Sequence, residues 1–136
     1  MKRILILDTE TTGLPADMNR PYTDVQNWPH MLSVAWRAYE DGFLMDRKIY
    51  IVAPREGVVN SPGAMAVNNI TPKLQAEKGV PVWRIGGELM AEMLRADLIV
   101  AHNVAFDRNI IGAEFARVTI PMPEKECFGM VIISWR

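Results

Sequence analysis

The sequence predicts an α/β layer fold in which residues 1–136 form a single domain. Short apolar runs bounded by turn residues alternate along the chain with segments of helical periodicity. Hydrophobic residues make up 49% of the chain and charged residues 23%, which is ordinary for a globular protein with one core. We find no repeat, low-complexity tract or linker in the sequence, so we expect no second domain.

The strands are predicted from apolar or alternating runs that end at turn signals. A long loop containing three prolines, at residues 14–30, follows the first strand. Asp41-Gly42 separates the second and third strands and predicts a hairpin. The predicted strands are residues 3–9, 31–39, 46–53, 97–101 and 127–135.

The clearest helix is predicted at residues 82–96, where apolar side chains recur at helical spacing despite the Gly86-Gly87 pair. Its apolar positions are Val82, Ile85, Leu89 and Met93. A second long helix is expected at residues 105–118, and a short one at residues 63–69. Thr71 and Pro72 predict the start of another helix, with threonine as the N-cap and proline in the first turn.

The first candidate site is the acidic pair Asp8 and Glu10, at the end of the first strand. Residues two apart on a strand point to the same face, and two like charges held together normally need a cation. Carboxylate oxygens suit hard divalent ions such as Mg²⁺ or Mn²⁺. Two solvated acids at a strand end are the structural alternative. The apolar run before Asp8 and the Thr11-Thr12-Gly13 turn after Glu10 favour a ligand site at the end of a central strand.

The second candidate site is the segment Ala101–Asp107, where a predicted strand turns into a predicted helix. Asp107 could simply complement the helix dipole, and Phe106 could simply belong to the core. His102 and Asn103 could satisfy the turn. Taken alone, this segment favours these structural interpretations over a functional one.

Taken together, Leu7–Leu14 and Ala101–Asp107 resemble the signature motifs of the DEDD superfamily of 3′–5′ exonucleases, which have a ribonuclease H-like fold. The group that includes the proofreading subunit of bacterial DNA polymerase III and ribonuclease T is the most similar. The resemblance extends over nearly the whole chain. It implies a mixed β-sheet flanked by helices, and hydrolysis of nucleotides from the 3′ end of nucleic acid, with DNA preferred to RNA.

The resemblance assigns roles to particular residues. Asp8, Glu10 and Asp107 would be catalytic metal ligands, with Asp8 bridging two Mg²⁺ or Mn²⁺ ions on the order of 4 Å apart. Five residues would bind the 3′-terminal nucleotide, and for the two apolar ones core packing is the alternative. These five residues are Thr11, Thr12, Leu14, Asn103 and Phe106.

The chain departs from the family pattern near its C-terminus. The family's third motif, a histidine followed five positions later by an aspartate, has no counterpart after Phe128. His102 and Asp107 have that spacing but already belong to the second motif, and His30 is expected in a loop on the wrong side of the fold. We therefore expect the C-terminal helix to be missing, the second ion to bind weakly and activity to be impaired, because a general base typically contributes about 10²- to 10⁴-fold.

Three interpretations follow: a truncated exonuclease, a short or decayed relative with little activity, and a module that binds 3′ ends or a polymerase partner. We favour the first, because a decayed site has no need to keep three like charges together. The expected substrate is a single-stranded or frayed 3′ end. An uncovered C-terminal strand with exposed Ile132, Ile133 and Trp135 would favour a homodimer or another protein partner.

The remaining sequence features exclude few classes of function. The net charge of −1 gives no overall basic signature, but a bound metal would supply local positive charge that this count omits. A single cysteine, Cys127, fits a reducing cytoplasm. The apolar run that follows Met-Lys-Arg at the start is too short for a signal peptide or a membrane span. The pathway, proofreading, repair or RNA trimming, is not encoded in these motifs.

Overall fold

The computed structural model describes residues 2–125 and the strand Cys127–Gly129. Over these residues it is a mixed sheet flanked by helices, which confirms the predicted α/β class. The strands are β1 (Arg3–Thr11), β2 (Met31–Glu40), β3 (Phe43–Val52), β4 (Gly79–Val80), β5 (Leu98–Ala101) and β6 (Cys127–Gly129). The helices are α1 (Pro62–Asn68), α2 (Pro72–Lys78), α3 (Val82–Arg95) and α4 (Val104–Arg117).

The acid-bearing strand β1 lies inside the sheet, whose described strands run in the order β4-β3-β2-β1-β5-β6. β1 is antiparallel to β2 and parallel to β5, and β2 is antiparallel to β3. β3 pairs with β4, and β5 with β6, in parallel. The carboxyl end of β1 and that of β5 therefore meet at the same edge of the sheet, which brings the two sequence motifs together.

Every helix and strand predicted within residues 2–125 is present with shifted boundaries, and β6 coincides with the start of the predicted final strand. Asp41 and Gly42 both have positive φ angles, 49° and 86°, as a tight type I′ hairpin turn requires. This turn lets β3 begin at Phe43, three residues before the predicted start. β4 was not predicted, because two residues show no periodicity. Beyond Gly129, the predicted final strand and the expected exposure of its apolar side chains lie outside the described residues.

The core lies between one face of the sheet and the helices α3 and α4. The four apolar positions predicted for α3 are all buried, and they pack against the alternate positions Leu5 and Leu7 of β1. Gly86, which weakens the helix intrinsically, allows a close approach: a Cβ there would lie 2.8 Å from Ile120 Cδ1. Packing therefore explains a residue that helix propensity disfavours.

The short helices begin as the sequence predicts. The Ser61 hydroxyl accepts a hydrogen bond from the Ala64 N–H and the Thr71 hydroxyl accepts one from the Leu74 N–H, both at 3.1 Å. A proline occupies the first turn of each helix, where a missing N–H costs nothing. Caps of this kind stabilise a helix end by roughly 1 kcal/mol.

Gly79, between α2 and β4, is expected to be intolerant of substitution. A Cβ at this position would lie 2.2 Å from the Gln75 carbonyl oxygen and 2.4 Å from Ala53 Cα, so the backbone itself would have to move. We expect Gly79→Ala to lower the free energy of unfolding by about 3 kcal/mol. Gly87→Ala is the control, because Gly87 is exposed on α3 and should gain up to about 1 kcal/mol. Equal urea midpoints for the two variants would contradict this.

Candidate active site

Asp8 and Glu10 project from the carboxyl-terminal half of β1 on the sheet face opposite the core. Leu7 and Thr9, which alternate with them, are buried, whereas both acidic residues are exposed. Partial removal of water raises the pKa of Asp8, with a backbone hydrogen bond and the charge of His102 opposing. The pKa of Glu10 is raised by desolvation and by repulsion from Asp8. The prediction that these two carboxylates share a face is confirmed.

Asp107, in the first turn of α4, is 4% exposed and buried next to the same strand. Its Oδ1 accepts a hydrogen bond from the Thr9 hydroxyl at 2.7 Å. Burial raises the pKa of Asp107 to about 6, repulsion from Asp8 adds to this, and the hydrogen bonds from Thr9 oppose it. A sizeable fraction of this side chain is therefore protonated near pH 6.

Asp8 is the electrostatic neighbour of both other acids, since its charge raises the pKa of Glu10 and of Asp107. Among residues 2–125, however, no three histidine, cysteine or acidic side chains are grouped as a metal site. The donors fit a hard divalent cation in their chemistry, because all are carboxylate oxygens. The Thr9 hydroxyl takes up only part of the lone-pair capacity of Asp107. The three acids therefore have the chemistry of cation ligands, but they do not form one grouped site in the described part of the chain.

The five residues predicted to bind the terminal nucleotide differ in exposure and in the contacts that they make. The Thr11 hydroxyl donates to the Gly13 carbonyl at 2.8 Å, so it shapes the turn. Leu14 is 85% exposed, so it does not pack in the core, which was its alternative role. Phe106 is half-buried and packs against the core, and Asn103 is exposed and makes no capping hydrogen bond with its side chain. Their proposed contacts with a nucleotide stay predictions.

His30 lies in the loop before β2, as predicted, and its backbone contacts the turn that follows the acids. Its carbonyl accepts from the Thr12 N–H at 3.0 Å, and its own N–H donates to the Thr12 hydroxyl at 3.1 Å. Burial lowers the pKa of His30, and the charges of Arg117 and Arg55 lower it further against Glu114. The long loop thus returns to the end of β1 just before β2 begins. His30 and Thr12 are 18 positions apart, so their contact could not be predicted from the sequence.

A buried carboxylate, Glu114 of α4, anchors the loop beside the site. Arg55 Nη1 lies 2.9 Å from both of its oxygens, and Arg117 Nη1 lies 2.9 Å from Oε1. The Met31 N–H donates to Oε2 at 2.8 Å. Arg117 also donates to the Trp28 carbonyl at 2.7 Å. Sequence reasoning missed this cluster, whose signal was an acidic residue on the apolar face of a predicted helix.

A cluster of side-chain amides, which the sequence analysis also did not predict, connects α1 to the end of β1. The Asn68 side-chain amide donates to the Thr11 carbonyl at 3.2 Å. Asn68 Oδ1 in turn accepts from the Asn60 side chain at 3.1 Å and from the Ile70 N–H at 3.0 Å. These amides fix the backbone of the turn that follows the acids.

Strand order and the mixed strand directions match a ribonuclease H-like fold, as the sequence predicts. Solved structures of Exonuclease I have this fold. The complex of the E. coli enzyme with a dT13 oligonucleotide matches with a TM-score of 0.77 and 16% identity, over 95% of this chain and 28% of that chain. A product-bound Exonuclease I matches with a TM-score of 0.76 and 16% identity, over 95% and 30%. A zinc-bound E. coli Exonuclease I complex with single-stranded DNA matches as the first does.

The likeness is one of fold, because it comes at 16% identity. No protein-family model matches the chain, and no curated protein matches its sequence. The chain spans less than a third of the Exonuclease I structures that it resembles. Within the described part of the chain, no helix is both long enough and apolar enough to cross a membrane.

Proposed function

We propose that this chain is the nuclease domain of a metal-dependent 3′–5′ exonuclease of the DEDD superfamily, acting on single-stranded DNA ends. The observation that carries the proposal is the electrostatic coupling of Asp8, near the end of β1, to both Glu10 and Asp107 within this fold. The fold match to Exonuclease I bound to oligonucleotides supports the substrate class. Both sequence motifs contribute acids to this strand end.

Asp8, Glu10 and Asp107 would hold the divalent cation, with Asp8 shared where two ions bind. A bound Mg²⁺ or Mn²⁺ would supply charge neutralisation and lower the pKa of a coordinated water. The role of the chain itself is to position the scissile phosphate. Since phosphoryl transfer depends mostly on orientation and electrostatics, a fixed strand end that carries carboxylates suits it.

The terminal nucleotide would bind beside these acids. Phe106 offers an aromatic surface to a base, and stacking of this kind tolerates every base. Leu14, at 85% exposure, is free to wedge against the neighbouring base. Asn103 offers a polar contact from the start of α4, because no capping hydrogen bond occupies its side chain. Thr11 and Thr12 would contact the sugar through the turn that they shape.

A second candidate function is binding of 3′ ends without hydrolysis. It is favoured by Asp107, whose side chain is held by Thr9 and has a pKa of about 6, so a cation must compete with a proton and with a hydrogen bond for this ligand. In this interpretation the residues proposed to bind the terminal nucleotide, Phe106 among them, are used, whereas the acids are not needed.

Degradation of a 5′-labelled single-stranded oligonucleotide tests the proposal. With Mg²⁺ or Mn²⁺ we expect a ladder that shortens from the 3′ end, and with chelator no ladder. Asp8→Asn should reduce the rate by at least about 100-fold, because it removes the acid next to both other carboxylates. Glu77→Gln, an exposed acid on α2, is the matched control and should leave the rate unchanged. Metal-independent binding without a ladder, unaffected by Asp8→Asn, would favour the binding module.

A further inference from the structure

Arg37 and Arg47 form a cross-strand pair of like charges on the sheet face that carries the acids. They are directly opposite each other in the β2–β3 register, and Arg37 is in turn opposite Ile6 of β1. Both arginines are exposed, and neither has an ion-pair partner among residues 2–125. Like charges placed directly opposite each other destabilise a sheet, so this pair favours an anionic ligand.

The neighbouring positions of this face form a path from the arginines to the acids. Asp8, Ala35 and Ile49 make up the next row across the three strands, since Ala35 is opposite both of the others. Ser33 is opposite Glu10 in the row beyond. The middle strand therefore presents small side chains beside the acids, and Ile49, 74% exposed, presents an apolar surface at the outer strand.

Strand geometry gives the scale of this path. Two residues along a strand and one strand across put Arg37 Cα roughly 8 Å from Asp8 Cα, and one further strand puts Arg47 Cα roughly 12 Å away. Extended arginine side chains at these positions would contact phosphates upstream of the one being cleaved. Small residues leave room for a sugar, and Ile49 can pack on a base or sugar without reading its identity.

We propose that the arginine row, Arg37 and Arg47, binds the phosphate backbone of the single strand upstream of its 3′-terminal nucleotide. This inference rests on the proposed function, which places the 3′ end at Asp8. Charge complementarity identifies the occupant: a row of two cations beside acids suits a polyanion whose end lies at those acids, and guanidinium groups bind phosphate oxygens well. The net charge of −1 leaves this row as a local, not a global, basic feature.

The test measures affinity of the full chain for a 5′-fluorescein strand of about 15 nucleotides and for a labelled dinucleotide, in chelator, across a salt series. Arg37→Gln and Arg47→Gln should each weaken binding of the long strand about fivefold at 0.1 M salt and reduce the salt slope by about 0.7. Dinucleotide affinity should stay unchanged. Lys48→Gln is the matched control, because Lys48 follows Arg47 but is opposite Trp36, on the other face.

Equal losses for long and short ligands, losses no greater than for Lys48→Gln, or no binding by the unmodified chain would overturn the proposal. An effect of Arg37→Gln on the dinucleotide alone would instead make Arg37 a counter-ion of Asp8, which also overturns it. The metal-dependent ladder of the unmodified chain separates the two proposals. A ladder with unaltered long-strand affinity in the arginine variants refutes only the arginine row, whereas no ladder refutes the exonuclease.

Discussion

Asp107→Asn is expected to stabilise the protein above pH 6 and to abolish the proposed nuclease activity. Burial raises the pKa of Asp107 from 3.8 to about 6, so the folded chain disfavours the ionised form. That difference corresponds to about 3 kcal/mol. Asparagine carries no charge and can still accept from Thr9, but it loses a helix-dipole interaction of roughly 0.3–1 kcal/mol. We expect a net gain of about 2 kcal/mol at pH 7.5.

The sign of the pH dependence follows from the raised pKa. Between about pH 4 and pH 6 the folded state binds more protons than the unfolded state, so the stability contributed by protonated Asp107 is lost as pH rises through about 6. The advantage of Asp107→Asn should therefore be full above pH 7 and shrink towards pH 4. Urea unfolding at several pH values measures it. A constant difference across this range would contradict the assignment.

The same substitution that raises stability should lower the proposed activity. A cation needs the deprotonated carboxylate, so Mn²⁺ affinity of the unmodified chain should rise as pH increases through about 6. Asp107→Asn should lower the rate of strand degradation at least about 100-fold. Thr9→Val is a useful companion, because it removes the hydroxyl that donates to Asp107 but retains all three acids. It should raise the pKa of Asp107 further and move the onset of metal binding to higher pH.

Much of the fold could be predicted from the sequence because its signals are local. Helix α3 was predicted from the spacing of its buried positions, and the hairpin from Asp41-Gly42, whose positive φ angles the turn requires. β4 could not be predicted, because its two residues follow α2 directly and form a strand only by pairing with the edge of β3. Local patterns indicate elements, whereas pairing of short edge strands depends on the tertiary structure around them.

The candidate site shows the same limit. The shared face of Asp8 and Glu10 follows from strand alternation, which needs no tertiary information. The bond between Thr9 and Asp107 joins residues 98 positions apart, and the contact of His30 with Thr12 depends on the path of a long loop. A polar residue at the inward position of Thr9, after Leu5 and Leu7, was the available sign that a buried polar partner faces this strand.

Glu114→Ala is expected to destabilise the protein by about 3–5 kcal/mol, the largest stability loss that we expect. Glu114 is 1% exposed and accepts hydrogen bonds from Arg55, Arg117 and the Met31 N–H. Burial alone would raise the pKa of Glu114, but Arg55, Arg117 and the Met31 N–H outweigh it and leave that pKa lowered. Removing the carboxylate leaves two mostly buried guanidinium groups without their counter-ion.

The lowered pKa of Glu114 also determines how this loss depends on pH. Stabilisation by an acid with a lowered pKa is complete above its unfolded value of 4.5 and is lost as pH falls through the folded value. The gap in unfolding free energy between the two proteins should therefore be constant from pH 6 to pH 8 and narrow below about 4.5. Glu77→Ala, an exposed acid whose lysine contact is 3.9 Å, should cost less than about 0.5 kcal/mol. The Glu114 cluster connects α4 to the loop that carries His30, and this loop contacts the turn after the acids. The variant should therefore also bind the proposed single-stranded DNA substrate more weakly. A gap below about 1 kcal/mol at pH 7 would mean that the arginines find water or other acceptors.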